Sequence, residues 1–325
     1  MDACLFCGNI AVQAVDRVAS TRLVDVFAQG YGADVQHLFQ SAPDNLTLFA
    51  CAHCALRWFS PQIIGDAEFY ECLQKFSWYY QDDKPEYGYA KNFVERGDAV
   101  LEVGCGKGAF SAALGQGVRY RGLEFNRAAV DKARAQGLDV EARTIEHEAQ
   151  AAPAHYDVVC HFQVLEHVSN PRQFLVDCIR TLKPGGRLVV AVPAEDSFLN
   201  LAQDSWLNMP PHHLTRWTDA ALLSAVEQLG IDTLEVWHEP VATYHAAWYR
   251  EVMIRTAIDR LLGRRPTLAA SRWQHRRAKA MRILARTLGL ENLLFERGER
   301  GFPYRGRGHT VCLVGRKRVS DLLTS

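Results

Sequence analysis

Val100 to Phe110 reads VLEVGCGKGAF: an apolar run of strand character enters a glycine-rich turn, and the carboxylate of Glu124 follows twenty positions after Gly104. Gly104, Gly106 and Gly108 allow backbone conformations closed to other residues and the approach of a ligand that a Cβ would block, and a helix opening at Ala109 is expected to turn its free N–H groups into the same space. Glu124 ends the next apolar run, Tyr120 to Glu124, and is placed to accept from both hydroxyls of a ribose. Pyrophosphate binders usually space their glycines as GxGxxG. Here they alternate as GxGxG behind Glu102, which suits a cationic nucleoside without phosphate.

Strand and helix patterns alternate outward from this turn. Strands are expected near Ala99 to Val103, Tyr120 to Glu124, Leu138 to Ala142, Tyr156 to His161, Arg187 to Pro193 and Thr233 to His238. Such alternation builds a parallel sheet covered by helices on both faces, an α/β fold. Asn126 can cap a helix that ends at Gly137. Asn170-Pro171 supplies an N-cap and an N1 proline before the apolar face of Phe174, Leu175, Cys178, Ile179 and Leu182.

DVVCHFQVLEHV (Asp157 to Val168), NPRQFLVDCIRTL (Asn170 to Leu182) and KPGGRLVVAVP (Lys183 to Pro193) follow in order. This series, from about Ala99 to Glu239, resembles the class I methyltransferases that use S-adenosylmethionine. The resemblance implies a Rossmann-like seven-stranded sheet whose last strand, HTVCLVGRK (His309 to Lys317), inserts antiparallel. It implies that Glu102, Gly104, Gly106 and Gly108 meet the methionine moiety and that Glu124 holds the ribose, with Phe125 beside the adenine. Thr144 and Ile145, with Glu146, line the other adenine edge, and His161, Phe162 and Gln163 pass under the sulfonium. Glu166 and His167 stand in LEHV, which is similar to the segment of the ubiquinone-biosynthesis O-methyltransferases in which two glutamates and a histidine, ExxEH, hold a divalent metal. Gln163 replaces the first glutamate and is a poorer ligand for a hard cation, so no metal is expected there and His167 is a candidate to pack or hydrogen-bond under the active site.

MPPHHLTRWT (Met209 to Thr218) follows the fifth strand, where acceptor-binding loops sit in this fold. Adjacent histidines are expected to point their side chains in different directions. His213, in an HxxxW arrangement like that of sugar and small-molecule methyltransferases, is preferred over His212 as the pocket-facing base; an ordinary histidine pKa of about 6.5 suits that task. Methyl transfer from a sulfonium is an in-line displacement that needs alignment, exclusion of water and, for a hydroxyl acceptor, removal of a proton.

Cys4 and Cys7 form one CxxC and Cys51 and Cys54 another. Two such knuckles complete a tetrahedral four-thiolate zinc site, expected here as a structural module with a helix of its own at about Arg22 to Gln40. The other five of the nine cysteines stand alone in apolar or motif settings and read as core. A zinc module ahead of the cofactor domain resembles the zinc-ribbon methyltransferases of polysaccharide and natural-product pathways. That resemblance favours a saccharide, a lipid-linked glycan or a small hydroxylated metabolite as acceptor; the alternatives are an RNA methyltransferase and a non-catalytic cofactor-binding scaffold. Against RNA, neither knuckle is basic and no NPPY-type motif follows the fourth strand.

The expected organisation is a zinc module (residues 1–60), an aromatic-rich linker with a helix near Phe69 to Gln81 (61–97), the methyltransferase core (98–240), a basic helical insertion (241–308) and the last strand with its tail (309–325). Within the linker Trp78, Tyr79 or Tyr80 is a candidate cap over the pocket. The insertion is read as helices at Tyr244 to Leu262 and Ser271 to Leu288 and a loop from Glu296 to Gly308. The 325 residues carry no net formal charge, yet Arg250 to Arg318 holds 18 Lys and Arg against 5 Asp and Glu. An arginine-rich surface of this kind is a solvated face, a contact for an anionic membrane or phosphate-bearing carrier, or a nucleic-acid contact. No apolar run approaches the roughly 18 residues needed to span a bilayer, so a cytoplasmic protein, at most peripheral to a membrane, is expected.

Overall fold

The computed structural model describes residues 3–76, 79, 81–268, 280–281 and 283–319. Two sheets organise them. The larger contains β4 (Ala99–Val103), β5 (Arg119–Leu123), β6 (Val140–Glu141), β7 (Tyr156–Phe162), β8 (Leu182–Pro193), β10 (Ile231–Pro240) and β11 (Arg307–Lys317) in the order β10-β11-β8-β7-β4-β5-β6. From β6 to β8 the pairs are parallel, while β11 runs antiparallel to both β8 and β10. This is the Rossmann-like seven-stranded sheet with an antiparallel last strand. Every residue of β4 is buried, as a central strand covered on both faces requires.

The helices begin where their caps are. Asn126 accepts from the Ala129 N–H (2.9 Å), Thr144 from His147 (3.2 Å), Asn170 from Gln173 (3.2 Å) and Thr218 from Ala221 (3.1 Å). Several expected boundaries move. The helix after Gly108 is a single 3-10 segment, Ala109–Ala113, because Gly115-Gln116-Gly117 cuts it short. The strand expected over Leu138 to Ala142 pairs only at Val140–Glu141, since Leu138 turns inward to pack over Gly108.

The second sheet is β1 (Val12–Ala19), β2 (Asn45–Cys51), β3 (Arg57–Ser60) and β9 (Thr215–Arg216). Its first three strands belong to the cysteine module, whereas β9 is part of the MPPHHLTRWT loop and pairs Arg57 with Arg216 and Trp58 with Thr215. The module therefore shares a sheet with the loop that carries the histidines. Its core is shared as well: Cys4, Phe6, Cys54 and Trp58 bury into the same cluster as Leu101, Val190 and Trp217. The helix expected at Arg22 to Gln40 is α1 (Ser20–Tyr31), which stops where Gly32 takes the left-handed conformation at φ 66°, followed by a 3-10 turn at Gln36–Phe39. The aromatic stretch forms α2 (Ala67–Leu73), shorter than its periodicity implied; Trp78 and Tyr80 lie outside the described residues.

In the insertion, α8 (Ala246–Leu261) buries Tyr249, Val252 and Met253 against Phe198, Leu199 and Phe302. The helix expected over Ser271 to Leu288 lies largely outside the described residues; of it, 280–281 and 283–287 are helical. The loop expected from Glu296 is instead the end of a helix, Glu291–Glu299, which crosses α8 so closely that a Cβ on Gly298 would lie 2.0 Å from the Met253 carbonyl oxygen. Several insertion arginines are committed internally. Arg255 pairs with Asp204 (2.9 Å), Arg307 with Asp219 (3.1 Å), Arg305 with Glu299 (3.0 Å), and Arg260 donates to the carbonyls of Gly298 and Arg300 at 3.2 and 3.0 Å. No helix among the described residues is long and apolar enough to cross a membrane.

Candidate functional site

The first half of the site is built at the C-terminal ends of β4 and β5. Gly104, Gly106 and Gly108 take φ of 72°, 55° and 79°. At Gly104 the space is claimed from within, because a Cβ there would meet Val164 Cγ2 at 2.5 Å. The close approach that requires glycine is thus made by the protein's own side chain. Glu124 accepts from the Gly106 N–H through Oε2 (2.8 Å) and from the Asn126 N–H through Oε1 (2.9 Å), which fixes the carboxylate at the mouth of the turn and leaves each oxygen further lone-pair capacity. Beside it Phe125 is 75% exposed, a free ring face at the edge of the site. Glu102 is buried and accepts from the Tyr120 hydroxyl at 2.5 Å; burial pushes its carboxyl up to about 8. Thr144 caps α5 (Ile145–Ala151), with Ile145 buried behind it.

The end of β7 splits His161, Phe162 and Gln163, expected under the sulfonium, among three surroundings. His161 faces the core, fully buried against Phe174 at a ring separation of 5.1 Å, and neither ring nitrogen has a partner. Its side chain is therefore not available to a ligand, because strand alternation sends it to the face opposite Phe162. Phe162 packs with Tyr87 and Phe110 at 4.9 and 4.8 Å. Gln163 takes φ 58°, unusual for a residue with a side chain, and its amide donates to Glu86 and to Thr310, each at 3.2 Å. Glu239, which accepts from the Thr310 N–H at 3.0 Å, completes a buried polar set. Nothing in the spacing of Glu86, Glu239 and Thr310 marked them, since they come from three distant segments.

The second half is histidine. The expectation that His212 and His213 diverge fails: their rings stack at 4.4 Å with 18° between planes, and His167 lies 4.6 and 4.8 Å from them. Side chains diverge in extended backbone, but here the His212 and His213 N–H groups both donate to the Met209 carbonyl (3.0 Å each), a tight turn that sends both rings the same way. Each Nδ1 is engaged: His167 with the His212 carbonyl (2.6 Å), His212 with the Leu207 carbonyl (2.8 Å) and His213 with Asn208 Oδ1 (3.0 Å). Glu166, 1% exposed, closes the group, with Oε1 3.8 Å from His167 Nε2 and 3.9 Å from His213 Nε2. Burial holds His167 down to about 4 and His212 and His213 well below the usual range, so all three are neutral at pH 7 and the ordinary pKa expected of His213 is not met: its ring is buried, which disfavours the charged form. Tyr70 on α2 and Tyr79 wall the cluster at ring distances of 6.0 Å from His167 and 6.3 Å from His212. Burial pushes the Glu166 carboxyl up to about 8.

Arg216 anchors this loop. Although 2% exposed, it gives two hydrogen bonds to the Asn208 carbonyl (3.1 and 2.7 Å) and lies 3.9 Å from Glu195, which Arg57 of β3 also pairs with at 2.8 Å. Leu214 continues the link, accepting from the Phe59 N–H (3.0 Å) and donating to the Glu166 carbonyl (2.8 Å).

At the far side of β3, Cys4 Sγ lies 3.5 Å from Cys54 Sγ and Cys7 Sγ 3.6 Å from Cys51 Sγ, and the four sulfurs all fall within 4.8 Å of one another. Four thiolates about a zinc ion at about 2.3 Å would stand about 3.8 Å apart, so the set fits such a centre. The Cys4 thiol is held below its ordinary value, chiefly by its contact with Cys54.

Residues 79–236 match the family model of a methyltransferase domain. A protein of Mycolicibacterium smegmatis named as a probable S-adenosylmethionine-dependent methyltransferase is 37% identical over 148 residues, covering 44% of this chain and 56% of the relative. A ubiquinone biosynthesis O-methyltransferase of Idiomarina loihiensis is 29% identical over 223 residues, covering 59% of this chain and 83% of its own length. The chain thus spans just over half the length of the first of these relatives. The crystal structure of a SAM-dependent methyltransferase from Archaeoglobus fulgidus superposes with a TM-score of 0.48 at 16% identity, over 70% of this chain and 90% of the other. Residues 79–236 therefore match a methyltransferase domain, and over this stretch the chain is similar to proteins named as S-adenosylmethionine-dependent methyltransferases.

Proposed function

We infer that the protein moves the methyl group of S-adenosylmethionine to a hydroxyl of a saccharide, a lipid-linked glycan or a small hydroxylated metabolite. The observation that supports this reading is the buried cluster of His167, His212 and His213, three neutral imidazoles gathered by the loop that follows the fifth strand of the parallel series. The acceptor oxygen attacks the methyl carbon, the carbon–sulfur bond breaks toward sulfur to leave a neutral thioether, and the hydroxyl proton passes to the histidine cluster, with His213 Nε2 as the first candidate. The likeness to relatives named O-methyltransferases supports oxygen as the methylated atom. Glu124 holds the ribose, Phe125 and Ile145 border the adenine, and Cys4, Cys7, Cys51 and Cys54 hold a structural zinc.

Incubation with labelled methyl donor and separated pools of nucleotide sugars, lipid-linked glycans, small metabolites and RNA tests the acceptor class. Label is expected in a hydroxylated, non-nucleic pool. Label confined to RNA would reject the reading, and label in none would favour a cofactor-binding scaffold. His213→Ala is expected to lower kcat roughly 10²-fold with donor affinity retained.

A further inference from the structure

We propose that His167, His212 and His213 bind a first-row divalent transition-metal ion, beside Glu166 and at a centre separate from the four cysteines. One ring nitrogen of each histidine lies within 4.8 Å of the others. The acceptors fix which nitrogens are free: a backbone carbonyl only accepts, so His167 and His212 carry their protons on Nδ1, and Asn208 Oδ1 sets the same tautomer at His213. All three Nε2 lone pairs are left for a ligand. Metal-bound histidines are held in this way, with the far N–H anchored on a carbonyl or amide oxygen.

A second observation points to a missing partner. Both carboxylate oxygens of Glu166 and the Nε2 of His212 are buried without a hydrogen bond. A buried carboxyl group and imidazole left without hydrogen bonds are costly, and a cation among them satisfies both. Three imidazoles suit zinc, cobalt, nickel or iron(II) rather than magnesium or calcium, which take oxygen ligands. The ligand set also differs from the ExxEH pattern, because Gln163 turns away to Glu86 and Thr310 while the loop before β9 supplies two histidines.

Binding stands on these side chains alone. The use of the ion rests on the proposed transfer to oxygen: an acceptor hydroxyl bound to it loses its proton to solvent more readily, and the resulting oxygen takes the methyl group. His213 then acts as a ligand, and the metal dependence of turnover separates that role from the role of a base.

The test is cobalt(II) titration of the full chain, with cysteine-bound metal measured separately. Wild type should take up one equivalent showing d–d bands without thiolate charge transfer. His212→Phe, which keeps a ring in place, should abolish that uptake, and Glu166→Gln should weaken it by ~10-fold or more. Retained affinity for S-adenosylmethionine shows that each variant folds. Cobalt entering only a thiolate site, or binding His212→Phe undiminished, would overturn the proposal. Uptake accompanied by transfer that is equally fast in metal-stripped protein would overturn the catalytic use while leaving the site.

Discussion

Glu102 joins its environment to a measurable pH dependence. Burial raises its carboxyl to about 8, so the ligand-free protein holds it mostly protonated at neutral pH. A sulfonium bound beside it favours the carboxylate and expels that proton. Donor affinity is therefore expected to rise from about pH 6 to 8, by at most about tenfold per unit, and to lose that slope in Glu102→Gln, as calorimetry across pH would show. Glu124→Ala should weaken donor binding by about 1.5–3 kcal/mol, and unchanged affinity would remove Glu124 from the ribose. His161 tests a different consequence of burial. Its folded pKa is pushed down to about 3, so the unfolded chain binds the extra proton, and the stability this group contributes is complete above about 6.5 and lost as pH falls toward 3. Since the ring has no hydrogen-bond partner, His161→Leu should keep or raise stability at neutral pH and flatten the acid loss in urea titrations at two pH values.

At the scale of elements, the caps were legible because Asn126 and Asn170-Pro171 act within a few residues of themselves. The short 3-10 segment after Gly108 and the two-residue β6 were not, since neighbouring glycines and an inward leucine decide them. The crossing of α8 by Glu291–Glu299 depends on Gly298, where a methyl group would overlap the Met253 carbonyl. Gly298→Ala should cost about 1–3 kcal/mol through forced separation of the helices, against the small gain that alanine brings to an isolated helix. Thermal unfolding that is unchanged or improved would show that the helices part freely.

At the scale of the whole molecule, the cysteine module and the histidine loop meet in one sheet through Trp58 and Thr215. Cys51→Ser is expected to lose the proposed zinc and to lower thermal stability, with elemental analysis and calorimetry as the readouts. Through Leu214, which bonds both Phe59 and Glu166, the same loss should disturb the acceptor side more than the donor side. A variant that keeps full turnover and stability without metal would break that link.

The sequence alone determined the parts whose chemistry is local: the alternating strands and helices, the glycine turn followed by Glu124, and the paired CxxC knuckles. Periodicity and turn chemistry act over a few residues, so they are written in consecutive letters. Only the tertiary structure decided that His212 and His213 turn the same way, that His167 and Glu166 join them, and that Glu86, Glu239 and Thr310 gather around Gln163. Those arrangements depend on a turn closing on Met209 and on segments far apart in the chain being packed together, and no spacing in the sequence encodes which distant side chain a buried lone pair will meet.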